Sequence, residues 1–267
     1  MAPLLARAPA LVKARAARTL DETGELYVTL FEGLRRSWDV RTWWGAFVEQ
    51  CWFVVRVTCV PLLLIAIPLG ATISLQVGDV ARQIGAQSST GALVVTAMVR
   101  QIAPLAAALL ISGAGGSAIT ADMGARRIRD ELSALEVMGI NPTHRLVTPR
   151  LWAAAVVSVL LCSMVILSGV AGGFYFNVIQ QGVTPGAYFD GAASLLRTSD
   201  LLVTLVKAGV FGLVAAAVAC STGMTCDYGA AGVGRAVTRA TVVTSLIVFF
   251  LNYVIETLYL VLVPPEF

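Results

Sequence analysis

Four ionisable side chains interrupt stretches of the sequence that are otherwise apolar. Arg56, Arg100, Lys207 and Glu256 each lie within a hydrophobic run of about 20 residues or more. Because an ionised group is costly inside a bilayer, such residues are candidates for a function. Arg100 and Lys207 could hold an anionic head group or a carboxylate, with Gln101 as a neutral neighbour, and Glu256 completes this candidate lipid-binding set. The alternatives are structural: Lys207 could pair with Glu256, and Arg56 could extend to the membrane surface.

A second group of charges lies between two apolar runs, in the sequence RRIRDELSALEVMGINPTHRLVTPR over residues 126–150. Its apolar residues recur every three or four positions, which predicts an amphipathic helix over residues 126–138. The apolar face would consist of Ile128, Leu132, Leu135 and Met138. Gly139 and the Asn141-Pro142 pair supply a stop signal.

The opposite face of this helix is charged. Arg126 with Asp130, and Arg127 with Glu131, are spaced as i,i+4 ion pairs, each worth about 0.2–0.5 kcal/mol. A solvated surface helix would account for this pattern. A docking surface for a second protein would account for it equally, and it would suit a membrane pump that lacks its own motor.

The composition decides what surrounds the chain. Of its 267 residues 57% are hydrophobic and only 13% are charged, whereas a soluble domain has about 25% charged residues to cover its surface. Most of the surface must therefore face lipid. The formal charge of +3 gives no reason to propose nucleic acid as a partner.

No residues suggest catalysis or a resident cofactor. The five cysteines lie in or beside apolar runs without metal-ligand spacing, which predicts small buried side chains. The single histidine, His144, has no second ligand nearby. The chain contains no GxxxxGK[ST] phosphate loop, so we expect no catalytic residue, no metal and no nucleotide site in it.

Five segments are long enough to cross a membrane as helices: residues 53–76, 92–116, 151–176, 201–222 and 240–263. Prolines 61, 68 and 104 predict kinks or local openings. Small residues at helical spacing predict close helix contacts, namely Gly169 with Gly173, and Ala208 with Gly212 and Ala216. The glycines over residues 229–235 favour a tight turn before the fifth span over a phosphate site.

Lysine and arginine concentrate before the first span and in the 117–150 and 223–239 connections. The positive-inside rule therefore predicts a cytoplasmic N-terminus and an outer C-terminus. Residues 1–50 are expected to form amphipathic helices, and residues 51–267 the transmembrane domain. Tryptophan beside arginine over residues 35–53 indicates a separate helix in the head-group layer, or else the flank of the first span. The predicted fold is an all-α membrane protein.

Three motifs then resemble one family. They are GGSAITADMGARRIRDELSALEVMGINPTHRLVTPRLWA at 115–153, LVKAGVFG at 205–212 and GAAGVGRAVTRATV at 229–242. Their order and spacing resemble the MlaE/YrbE permeases over roughly residues 40–255. The alanine-rich sequence with its long N-terminal lead resembles the actinobacterial YrbE members of Mce complexes.

This resemblance implies an ABC-type lipid importer subunit in the inner membrane. Its expected partners are a second permease, in a heterodimer, a cytoplasmic ATPase that carries the ATP and magnesium, and MCE proteins on the outer side. The cargo would be phospholipid in the Mla type, and fatty or mycolic acids or sterols in the Mce type. The charged stretch, at about 122–140, would be the coupling helix, with contacts at Arg126, Arg127, Arg129, Asp130, Glu131, Leu135, Glu136 and Met138.

The sequence departs from the family at one informative place. Family members usually carry Arg-Glu in the second span, whereas this chain has Arg100-Gln101, so an acidic partner for the arginine is lost. Two rival functions stay open. An ion-coupled secondary transporter would normally show more spans and an acidic carrier deep in the membrane. A non-transporting scaffold would tolerate charge reversals in the predicted coupling helix.

Overall fold

In the computed structural model, the described residues are Gly24, 30–33, Arg35, 40–86, 89–180 and 182–262. Within them every regular element is helical, so the chain is an all-α membrane protein. Much of the predicted N-terminal segment, residues 1–50, lies outside the described residues. We number the helices α1 Val40–Gln83, α2 Thr90–Ile128, α3 Glu131–Val137, α4 Thr143–Gln180, α5 Pro185–Leu195, α6 Thr198–Met224 and α7 Ala230–Leu262.

Five of these helices, α1, α2, α4, α6 and α7, are long and apolar enough to cross a membrane. The predicted number of spans is therefore confirmed. The first four extend beyond both predicted limits, and the fifth begins ten residues before its predicted start and ends at Leu262. The short helices α3 and α5 lie in connections between spans.

The prediction of a separate head-group helix over residues 35–53 is wrong for the part that is described. Helix α1 runs without a break from Val40 through the whole first span, over 44 residues. About 20 residues suffice to cross the hydrocarbon, so its first turns form the flank of the span. No proline or glycine occurs between Gly45 and Pro61 to end a helix there.

Helix α2 is locally widened at two places. π-helical turns occur at Met98–Ile102 and Ile111–Gly115, on either side of Pro104. A proline removes one backbone donor, and a π turn shifts the hydrogen bonding by one residue to absorb the change. The prediction of a local opening near this proline is confirmed.

Small residues let the helices approach closely, as predicted. A Cβ on Gly70 of α1 would overlap the backbone of Gly169 in α4, and a Cβ on Gly212 of α6 would lie 2.5 Å from the Ala154 carbonyl oxygen. Lipid tails are as apolar as leucine, so close packing rather than hydrophobicity holds such helices together. Helix α4 therefore sits at the centre, between α1 and α6.

The glycine cluster before the fifth span forms the predicted tight turn. Gly229 has a φ of +92°, which a residue with a side chain rarely adopts, and α7 begins at the next residue. A Cβ on Gly232 would overlap the Asp227 carbonyl group. The glycines here are explained by close backbone approach.

Candidate functional sites

The predicted coupling helix is two pieces, so the prediction of one helix over residues 126–138 is wrong. Helix α2 ends at Ile128, and Asp130 adopts a left-handed backbone with a φ of 56° before α3 begins. Aspartate tolerates this conformation better than most residues. No glycine or proline marks the break. The predicted end of the helix is confirmed, since α3 stops at Val137 and Gly139 has a φ of +74°.

A web of ion pairs fixes the end of α2 to its neighbours. The Asp122 carboxylate accepts from Arg150, which is 2% exposed, and from Arg126 at 3.3 Å. Glu131 binds Arg126 at 3.3 Å and Arg129 at 2.8 Å. The predicted pairs Arg126–Asp130 and Arg127–Glu131 are therefore replaced, because the break at Asp130 changes the helical register.

Sequence reasoning missed Asp122 and the role of Arg150. A signal for Asp122 existed, since it is the only acidic residue between Asp79 and Asp130 and lies at the end of an apolar span. An acid in that position requires a cationic partner. Nothing in the sequence identifies that partner as Arg150, which is 28 residues further along the chain.

Arg127 connects α2 to the 225–229 connection between α6 and α7. Its guanidinium donates to the Met224 carbonyl and lies 5.8 Å from the centre of the Tyr228 ring. The Tyr228 hydroxyl in turn donates to Asp130 at 3.4 Å. These contacts border an open cleft with a volume of about 670 Å³. Its lining includes Arg127, Leu132, Glu136, Asn141, Met224 and Tyr228.

Helix α3 presents apolar side chains outward at its end. Leu132 and Leu135 are half-buried, as the predicted apolar face requires, whereas Val137 is 89% exposed and Met138 is 63% exposed. The prediction that Met138 lies on the apolar face against the bundle is therefore wrong. Glu136 is exposed beside them. An apolar and acidic surface thus projects from the end of the bundle.

The eight predicted coupling residues fall into two groups. Some make contacts within the bundle, and the others are exposed on its surface. Arg126, Arg127, Arg129 and Glu131 make the intramolecular contacts described above. Asp130 shapes the turn and Leu135 is half-buried. Glu136 and Met138 remain available to a partner, and Val137, which was not predicted, joins them.

Near the opposite end of the bundle, the intramembrane charges form a second cluster. Arg100 of α2 binds Asp200 of α6 at 3.0 Å. Asp200 is 1% exposed and also accepts from the Tyr259 hydroxyl and, at 3.1 Å, from the Arg197 backbone N–H. The arginine that lacks a neighbouring glutamate in the sequence therefore finds its acidic partner on another helix.

The predicted structural pairing of Lys207 with Glu256 is confirmed. The ammonium group binds the Glu256 carboxylate and lies 3.4 Å from the Arg100 carbonyl oxygen. Gln101 accepts a hydrogen bond of 3.0 Å from the Asn252 side-chain amide. The four candidate lipid residues thus lie together on α2, α6 and α7, joined by three partners that sequence reasoning missed: Asp200, Asn252 and Tyr259.

The described part of the chain contains no group of three or more histidine, cysteine or acidic residues arranged to hold a metal. Cys162, Cys220 and Cys226 are buried, as predicted for all five cysteines, whereas Cys51 and Cys59 are only half-buried. Burial raises the pKa of the Cys226 thiol, although the nearby Arg127 charge opposes that rise. This cysteine therefore stays a neutral thiol near neutral pH.

Comparison with known proteins places these features in a family. The sequence model of the family described as Permease MlaE matches residues 47–258. A probable ABC transporter permease protein of Rickettsia felis is 33% identical over 190 residues, which cover 71% of this chain and 73% of the relative. The intermembrane phospholipid transport system permease protein MlaE of Haemophilus influenzae is 29% identical over 230 residues, covering 86% and 88%. TRIGALACTOSYLDIACYLGLYCEROL 1, a chloroplastic protein of Arabidopsis thaliana, is 28% identical over 177 residues, covering 66% and 51%.

Proposed function

Because this chain belongs to the MlaE family of ABC transporter permeases, we propose that it is one of two permease subunits of a lipid importer. It is a multi-pass membrane protein and a transporter subunit rather than an enzyme. The importer would move hydrophobic lipids between the cell envelope and the inner membrane. Candidate cargoes are fatty or mycolic acids, sterols and phospholipids, the last being what the Haemophilus relative's name states for that protein.

The observation that carries the proposal is that the exposed end of α3 adjoins an end of α2 that is held firmly by its neighbours. Glu136, Val137 and Met138 project outward, while Arg150 and Arg127 tie the adjoining end of α2 to α4 and α6. A cytoplasmic ATPase bound to this surface would push on a segment that is connected to three spans, α2, α4 and α6. Such a push shifts an equilibrium only where the motor contacts the two states differently.

A second permease subunit is proposed beside α1 and α7. Among the described spans α7 is the least covered, with 11% of its most apolar stretch buried, against 50% for α2, α4 and α6. The lipid would occupy a cavity between the subunits, lined by the first, second and fifth spans. MCE proteins on the outer side would continue the path, with the N-terminus cytoplasmic.

We would test motor docking by purifying the chain from its native membranes under mild detergent. Wild type should bring down a soluble ATPase and a second permease, identified by mass spectrometry. A variant carrying Glu136→Lys and Val137→Asp should lose the ATPase by about tenfold or more, because it places charges where an apolar contact is desolvated. These positions are chosen because they make no contact that holds the bundle together.

Asp190→Lys provides the matched control, since it reverses an exposed acidic charge on α5, at the other end of the bundle. This control should retain the ATPase. Recovery of the ATPase with the Glu136→Lys, Val137→Asp variant would reject α3 as the coupling element and favour a scaffold. An ion-coupled transporter would instead bring down no ATPase from wild type.

A further inference from the structure

Two arginines near the start of α7 lie between two clefts. Arg235 and Arg239 are one helical turn apart, and both are exposed. The smaller cleft, of about 260 Å³, lies where α7 meets the end of α6 and is also lined by Thr222, Thr225 and Asp227. The larger is an open groove of about 620 Å³ along α7 itself. Both arginines border both clefts, so a ligand in either cleft meets both side chains.

The groove along α7 is small or apolar apart from these arginines. The one hydroxyl in its lining, on Thr238, donates to the Gly234 carbonyl oxygen. Beyond the groove the same face of the helix continues with Val242, Leu246 and Phe250, which follow Arg239 at intervals of three and four residues and are each more than half exposed. A cationic end with an apolar continuation on one helix face matches the phosphate and the acyl chain of a phospholipid.

The two arginines also lie at the depth where lipid phosphates occur. Arg239 is the last charged residue before the apolar part of the fifth span, which carries no further charge until Glu256. Long cationic side chains at such a position extend into the head-group layer. The positive-inside rule predicts that this end of α7 faces the cytoplasm, and anionic lipids of the cytoplasmic leaflet attract basic residues just outside a span.

The charges around the smaller cleft favour an anion. Arg235 pairs with Asp227 at 2.8 Å, but both side chains are largely exposed, so water weakens this pair. Burial raises the pKa of the Cys226 thiol, which also lines the cleft, and the Arg127 charge opposes that rise, so a third cation acts there. A phosphate can bind Arg235 in place of the carboxylate, and its further oxygens can accept from Arg239 as well.

A protein partner fits this end of α7 less well than a lipid does. Charged residues are depleted from the buried core of protein interfaces. A partner that covered the two arginines would also remove them from water, which is costly unless it supplied anions of its own. The second permease proposed beside α1 and α7 would therefore contact α7 outside this groove.

We propose that Arg235 and Arg239 bind the phosphate of a phospholipid in the cytoplasmic leaflet, with an acyl chain lying along the α7 groove. This site goes beyond the proposed transport function. Neither cleft is lined by α1 or α2, so the site is separate from the cavity proposed between the subunits, and its lipid need not be cargo. The glycines before the arginines form the turn, and the arginines hold the lipid.

The test titrates dioleoyl phosphatidylglycerol and dioleoylglycerol, which share their acyl chains, into the permease purified with its co-purifying subunits. Native mass spectrometry counts the bound lipid. Arg235→Gln together with Arg239→Gln should weaken phosphatidylglycerol binding at one site per chain by about tenfold or more, because two contacts to the phosphate are lost. Dioleoylglycerol, which lacks the phosphate, should bind wild type and this variant alike.

Matched variants separate this site from a general attraction of surface cations. Arg145→Gln removes an exposed arginine at the start of α4 that lines neither cleft, and it should leave binding unchanged. Arg235→Lys with Arg239→Lys keeps both charges and should retain most of the binding. Asp227→Asn removes the competing carboxylate and should tighten phosphatidylglycerol binding about threefold or more. A purely structural role of the arginines does not predict this gain.

The remaining outcomes overturn the inference. Equal phosphatidylglycerol binding by wild type and the double glutamine variant would mean that the arginines contact protein or water instead. An equal loss in Arg145→Gln would mean a general surface attraction. Displacement of phosphatidylglycerol by an equal concentration of inorganic phosphate would mean that the α7 groove holds no acyl chain. Each of these results leaves the proposed transport intact, because the cargo cavity is a separate site.

Discussion

At the scale of single residues, Arg150 is the most deeply placed cation at the α2–α4 junction. It is 2% exposed, donates to the Leu146 carbonyl at 2.7 Å and binds Asp122. Asp122 keeps a second partner in Arg126, and its side chain is 34% exposed, so loss of Arg150 does not strand it completely. The cost of removing Arg150 should therefore fall below that of breaking a fully buried pair.

We expect Arg150→Met to lower the stability of the detergent-purified chain by roughly 2 kcal/mol, seen as a fall in the thermal midpoint by tryptophan fluorescence. Arg235→Met is the matched control. Its pair with Asp227 has side chains 66% and 77% exposed, and such surface pairs contribute about 0–1 kcal/mol. Equal midpoints for the two variants would contradict the importance assigned to the Arg150 contact.

At the scale of helices, the contact between α1 and α4 depends on Gly70. A Cβ there would overlap the Gly169 carbonyl group, which belongs to a backbone that cannot rotate away. Gly70→Ala should therefore push the two helices apart and destabilise the chain by about 1–3 kcal/mol. Thermal unfolding in detergent measures the effect.

The same substitution at Gly45 is the control, because it lies on the same helix and a Cβ there meets nothing within 4 Å. Gly45→Ala should be neutral or stabilising by about 0.5–1 kcal/mol, since glycine is the more flexible residue in the unfolded chain. If both alanines have the same effect, the close approach of α1 and α4 does not determine stability.

These elements also show what a sequence can and cannot predict. Hydrophobic length identifies five spans, and small residues at helical spacing identify contacts such as Gly212 with α4, because both are local properties of one helix. The break at Asp130 carries no local signal. The contact that flanks it, from Arg127 to the Met224 carbonyl, joins residues 97 positions apart and is equally invisible to local sequence patterns.

The candidate sites divide in the same way. Lone charges within apolar runs are visible in the sequence, so Arg100, Lys207 and Glu256 could be selected, and the Lys207–Glu256 pair could be foreseen. Asp200 could not, because it stands at the start of a span where an acidic residue ordinarily suits the helix N-terminus. Only the packing of α6 against α2 turns it inward to meet Arg100.

At the scale of the whole molecule, α2 and α6 connect the two sites. Helix α2 carries Arg100 near one end and Asp122 near the other. One π turn, Met98–Ile102, contains Arg100, and the second, Ile111–Gly115, lies between the two residues. Helix α6 carries Asp200 and Lys207 in one cluster and ends at Met224 in the other. A displacement of α3 would therefore reach the charge cluster around Arg100 and Asp200 through two helices that are fixed at both sites.

This arrangement requires the two sites to face opposite sides of the membrane, and the positive-inside rule predicts which side each faces. We expect a cysteine at Ser133, on α3, to be cytoplasmic and a cysteine at Ser194, on α5, to be external. Both serines are exposed, so the substitutions are matched. In a background without native cysteines, a membrane-impermeant maleimide should label Ser194→Cys on intact cells stripped of their wall. Ser133→Cys should be labelled only after the membrane is opened. The reverse pattern would place α3 outside, where no cytoplasmic ATPase could reach it, and would reject the proposed coupling.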